Sequence, residues 1–178
     1  MPSAQALSEA DRRLVASWAA DCAERAVGVF EAEAPMDDRP RDAIARARAF
    51  ARGELDAAGE IRRRFLAGRA AQAVTSPAAV AAARAAAQAA GVAHMGAHAL
   101  GAAAYAAKAA GLAAPDHPAA VADEISWQVS GMSAEVRAAL QKLPPLGEDS
   151  AGPLGPGLLA SGILGSVIRE LQAAIGGG

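Results

Sequence analysis

Apolar side chains recur at helical spacing along most of the chain. Leu14, Trp18, Cys22, Ala26, Val29 and Phe30 fall on one stripe. Ser8 ahead of them, with Asp11 three residues on, is a capping signal. The pattern predicts a first helix that Pro35 ends. Asp37 or Asp38 caps a second, with Pro40 in its first turn. It carries Ile44, Ala47, Phe50 and Ala51 and stops at Gly53. A third is expected from about Asp56 to Val74, anchored by Ile61, Phe65 and Leu66. Ser76 and Pro77 restart the helical pattern, which runs to about Ala110. Gly91, Gly96 and Gly101 place a break or kink around 91–97. Pro118 opens another helix with Val121, Ile125, Trp127 and Val129, and Ser133 caps a short one ending at Leu143.

"LPPLGEDSAGPLGPG" reads as a Pro/Gly-rich linker. Beyond it Leu164, Val167, Ile168, Leu171 and Ile175 form a last apolar stripe. The expected organisation is a helical domain over 1–143, a linker over 144–157, and a C-terminal amphipathic helix with a frayed tail over 158–178. The expected class is all-α: a compact bundle of about six to eight helices with no sheet.

Composition strengthens that class. Of the 178 residues 53 are alanine, against two Trp, one Tyr and three Phe. Alanine is the best helix former and a poor strand former, and small side chains let helices approach closely. The single cysteine, Cys22, excludes an intramolecular disulfide and fits a reducing compartment. Charge is uneven: residues 1–70 hold 12 of the 17 Lys/Arg and 12 of the 19 Asp/Glu. The net charge of −2 argues against nucleic acid or an acidic membrane surface as partner. The uncharged run Ala85–Ala107 is long enough to span a bilayer, but Ala and Gly insert weakly and it contains Gln88, His94 and His98. A buried helix or helix pair is expected there. No apolar leader segment is apparent at the N-terminus.

Three places carry candidate chemistry. In "VAHMGAHALGAAAYAAK", His94 and His98 are four apart, which on a helix puts both imidazoles on one face. A zinc-protease helix needs a glutamate directly after the first histidine, and Met95 stands there. No acid lies between Arg84 and Asp116, so further metal ligands would have to come from distant segments such as Asp21, Glu24, Asp123 and Glu124; neither metal nor cofactor is expected. The alternative is a small metal- or ligand-binding protein, or an enzyme, with His94, His98 and Tyr105 around a polar pocket. The hydrogen-bond partners of these side chains are expected from Asp21 and the "DDRPR" turn. Second, Asp21 and Arg25 form an i,i+4 pair, and with Glu24 they are expected to face Asp37, Asp38, Arg39 and Arg41. Alternating acids and guanidinium groups on one ledge suit recognition of a charged partner. Third, Trp127 and Gln128 lie in "DEISWQ", with Trp127 expected as a core anchor. The chain has no Walker or Rossmann glycine motif and no nucleophile elbow. Gly157, Ser161 and Gly165 suit close helix packing, within the chain or across a homodimer through the C-terminal helix.

Three stretches together resemble the immunity-protein-five-like family of bacterial polymorphic-toxin immunity proteins. They are "WAADCAERAVGVFEAEAPMDDRPRDAIARARAFARGE", "AHMGAHALGAAAYAAKAA" and "DEISWQ". The resemblance covers roughly residues 14–143 and is most specific in the first block, through Trp18, Asp21, Glu24, Arg25, Phe30, Pro35, Asp38, Arg39 and Pro40. It implies an all-helical cytoplasmic protein that binds and neutralises a cognate toxin, with no catalytic activity. Similar actinobacterial sequences carry an exonuclease-subunit label of the SMC type. The missing Walker motif and the short chain argue against that label.

Overall fold

The computed structural model describes residues 2–63 and 65–177. Among them the regular structure is helical, with no strand. The elements are α1 (Glu9–Glu33), α2 (Arg39–Ala51), α3 (Ala57–Arg63), α4 (Leu66–Ala70), α5 (Pro77–Gly91), α6 (His98–Ala113), α7 (His117–Ser130), α8 (Ala134–Leu140) and α9 (Gly162–Gly176). Single 3₁₀ turns lie at Ala4–Ala6, Ala71–Ala73 and Leu158–Ala160. The chain is the all-α bundle that its pattern predicts.

Four starts follow side-chain capping. Ser8, Ser76, Asp116 and Ser133 each accept from the backbone N–H three residues on, at 3.1 to 3.2 Å. At α2 the structure chooses between the two expected caps. Asp37, not Asp38, takes the Arg39 N–H at 3.2 Å, and Asp38 is exposed with no capping bond.

The centre of the bundle is α5 against α6, the most extensive helix pair, and α1 lies against both. Ala99, Ala102–Ala104, Ala106, Ala107 and Ala109 of α6 are all buried, so from Ala99 to Ala107 this helix is covered on all sides. Phe30, Phe50, Ile44 and Leu100 supply bulk around this small-residue centre. The expected break at 91–97 is real and complete. Residues 92–97 form a turn, so His94 and His98 do not share one helix face, and the long uncharged run becomes two helices.

Three expectations change. The segment expected as a third helix breaks into α3, α4 and a 3₁₀ turn. Its anchors there are Ala67, Ala70 and Ala71, while Phe65 is 58% exposed. Leu14 is exposed at the outer edge of the α1 stripe, and Trp127 is 38% exposed instead of buried. The 144–157 stretch connects the bundle to α9 but is folded against it. Leu154 is fully buried, and its N–H donates to Gln5 Oε1 at 2.8 Å. Gln5 Nε2 donates to the Asp149 carbonyl at 2.6 Å, and the Gln5 carbonyl accepts from Ala97 N–H at 3.0 Å. One buried glutamine thus joins the N-terminus, the α5–α6 turn and the Pro/Gly-rich segment. The expected α9 stripe is buried throughout, against α6 and α7 of its own chain. No helix among the described residues is long and apolar enough to cross a membrane.

Candidate functional site

The outward side of α1 shows Leu14, Ser17, Asp21, Glu24, Arg25 and Gly28, spaced three and four apart. Two neighbouring helices complete it. From α2, Arg48 clamps Glu24 through both terminal nitrogens, at 2.9 and 2.5 Å, and reaches Asp21 at 2.8 Å. Arg41, two turns earlier, pairs with Glu31 and lies 3.9 Å from Glu24. The result is a ladder of Asp21, Arg48, Glu24, Arg41 and Glu31 across the α1–α2 seam. The bond from Arg48 holds the Glu24 carboxyl below its ordinary range, and Glu24 in turn raises the Arg48 guanidinium. Arg41 lowers Glu31 in the same way.

From α7 comes a second seam. Arg25 Nε lies 2.9 and 3.0 Å from the two oxygens of Glu124, which is 5% exposed. The same guanidinium sits 4.1 Å from the centroid of the Trp127 ring. That is cation–π distance, and the ring's outer side is left to solvent. Beneath it Trp18 Nε1 donates to the Gln128 carbonyl at 2.9 Å, and Gln128 Nε2 donates to the Ala103 carbonyl at 3.0 Å. The buried end of this chain ties α1 and α7 to α6, and its exposed end presents Arg25 and Trp127. Cys22 lies fully buried here, its thiol pushed up by burial.

The structure therefore joins Asp21, Glu24, Arg25 and Trp127 into one face, with Trp18 and Gln128 buried beneath it. It does not bring Asp38 or Arg39 to that face. Arg39 turns back on Asp37 at 2.5 Å, which lowers the Asp37 carboxyl. Asp21 and Arg25 do not pair with each other, because Arg48 and Glu124 take them instead. Sequence reasoning missed Arg48 and Glu124. Arg48 is one of several arginines in "ARARAFAR", and only its place across the seam singles it out.

His94, His98 and Tyr105 do not form one pocket. His94 is exposed in the turn. His98 opens α6, and its Nδ1 is 2.8 Å from Gln88 Oε1 of α5, a partner the sequence did not suggest. Two glycines make room for this pair. A Cβ at Gly91 would lie 3.0 Å from the imidazole, and one at Gly101 would fall on Gln88 Oε1. Tyr105, 4% exposed, borders a groove with Gln88 on one side and residues 150–159 on the other. Among the described residues no group of three or more His, Cys, Asp or Glu is arranged to hold a metal ion.

Residues 5–135 match the family described as Imm-5 like putative immunity protein. The chain belongs to this family. No curated protein and no solved structure matches it. The Imm-5 like region contains α1 to α7 and the start of α8, and so the whole α1–α2–α7 face. The groove draws its floor from that region and its far wall from residues beyond it.

Proposed function

We propose that this chain is an immunity protein that binds a cognate bacterial toxin by direct protein–protein contact and neutralises it by covering its active site. No catalytic step is assigned to it, and the cytoplasm of the producing cell is where it acts. Membership of an immunity family supports the class of function. One observation supports the surface: the half-exposed Trp127 ring, held by Arg25, adjoins the exposed acid–arginine ladder. Trp and Arg are the residues in which interface binding energy concentrates. A ring already stacked, and arginines already clamped, lose little freedom on docking. The ladder's charges supply steering and register.

The test is co-expression with the toxin encoded beside the gene, followed by titration of the purified pair. The native chain restores growth and binds. Trp127→Ala weakens binding by about 2 kcal/mol, roughly 30-fold, with the fold intact. Arg48→Glu slows association in a salt-dependent way. Reversing Asp38 and Arg39 together has a smaller effect than either. Binding that survives both Trp127→Ala and Arg48→Glu unchanged would move the interface elsewhere on the bundle.

A further inference from the structure

The groove over Tyr105 has no part in the proposed toxin face and shares no residue with it. It is an open groove of about 380 Å³, within the size range of small-molecule sites. Tyr105 and Gln88 lie on the α5–α6 side, and Pro153, Pro156 and Leu159 on the other.

The polar side chains that line it are Tyr105, Gln88 and Ser150. The Tyr105 hydroxyl has no hydrogen-bond partner among the described residues, although the side chain is almost fully covered. Burial raises the phenol's pKa, so at neutral pH it is protonated and able to donate. Gln88 accepts from the His98 ring through Oε1, which leaves its NH₂ as the group without a protein partner. Arg84 stands one turn before Gln88, on the same side of α5. It lies outside the lining residues, close enough for its charge to act on Tyr105. No Asp or Glu borders the groove.

The Tyr105 phenol, the Gln88 NH₂ and the Ser150 hydroxyl can all donate, Arg84 adds positive charge nearby, and no carboxylate lines the groove, so its side chains favour an anionic acceptor. The prolines and Leu159 give the remainder an apolar lining. We infer that this groove binds a small carboxylate carrying a short apolar body. The carboxylate accepts from the Tyr105 hydroxyl and the Gln88 amide, with Arg84 as its counter-charge. The apolar body lies against Pro153, Pro156 and Leu159. His98 is a positioning residue: by holding Gln88 Oε1 it turns the amide's donors toward the groove. The glycines at 91 and 101, which admit that pair, are explained by the same arrangement.

Tyr105 is the chain's only tyrosine, so a ¹³Cζ-tyrosine label reports on this groove alone. The probes are benzoate and its cationic counterpart benzylamine, which share the ring and differ in charge. The expected result is a saturable shift of the Tyr105 signal with benzoate and none with benzylamine. Arg84→Ala, a surface change that leaves the helix intact, is expected to weaken benzoate binding about tenfold, as loss of one charge-assisted contact does. Tyr105→Phe, read by saturation transfer from the ligand, weakens it as well. A shift that never saturates, an equal response to benzylamine, or native-strength binding by the folded Arg84→Ala chain would each overturn the assignment. None of these outcomes depends on a toxin, so the groove and the α1–α2–α7 face are tested separately.

Discussion

The α1–α2 seam and the α5–α6 pair hold helices together by opposite means. Across the first, long side chains reach over the gap: Arg48 to Asp21 and Glu24, Arg41 to Glu31. Their ends lie at the surface, where each pair contributes about 0–1 kcal/mol. Across the second there is almost nothing to reach with. Buried alanines bring the backbones close, and glycines at 91 and 101 admit the one polar pair, His98 with Gln88. The first region can change its chemistry without changing its packing. The second cannot add a methylene without moving a helix. Stability is therefore concentrated in the small-residue centre, and the recognition we propose is assigned to the charged face.

The sharpest way to break that contrast is to put bulk into the centre. Ala103 of α6 is fully buried, and its carbonyl accepts from Gln128. Ala103→Leu is expected to cost about 1–3 kcal/mol. At about 2–4 °C per kcal/mol this is a plain fall in the thermal midpoint. Arg48→Met, which dismantles the ladder, is expected to cost under about 1 kcal/mol. Urea unfolding of both variants measures the difference. Equal losses would mean that the ladder is structural after all.

The same contrast governs what could be read from the sequence. Helix positions in the charged half were legible, because Ser8, Pro35, Pro40 and Gly53 punctuate them and Trp18, Phe30 and Phe50 mark a stripe. The break between α5 and α6 was legible from its glycines. Side-chain partners were not. Asp21 has Arg25 at a favourable helical spacing, but Arg48 comes from another helix, and no periodicity within one helix reports on that. Likewise Phe65 looks like an anchor by type, but the buried residues of that segment are Ala67 and Ala70. Gln5 and Gln88 were invisible for a simpler reason. A lone glutamine in a polar or alanine-rich context carries no pattern, and its role follows only from what the tertiary fold sets beside it.

Between the two extremes lies Arg25. Its partner Glu124 is buried, although Arg25 itself is partly exposed. Arg25→Ala leaves a covered carboxylate without its cation and Trp127 without its stack. A loss of about 1–3 kcal/mol is expected, larger than for Arg48. Replacing both partners, Arg25→Met with Glu124→Leu, is expected to recover much of it, because the cost lies in the orphaned charge. A double variant as unstable as the single one would show that the pair is held by packing alone.

The smallest effect expected is at Glu33, where the two regions meet. This last residue of α1 accepts from the Thr75 N–H at 2.6 Å, the Thr75 hydroxyl at 3.0 Å and the Ser76 N–H at 3.2 Å, just before α5. Those bonds pull its carboxyl down from an ordinary 4.5 to about 2. In the unfolded chain the same group takes up its proton near 4.5, so between that pH and about 2 the unfolded state holds more protons. The contribution of Glu33 is therefore complete above about pH 4.5 and is lost as the pH falls toward 2. Glu33→Gln lacks this dependence. The gap in urea midpoint between the native chain and the variant is expected to be present at pH 6 and to narrow steadily below pH 4.5. A gap that stays constant through that window would mean that the charge of Glu33 has no part in joining α1 to α5, and that the seam between the two regions rests on apolar contact alone.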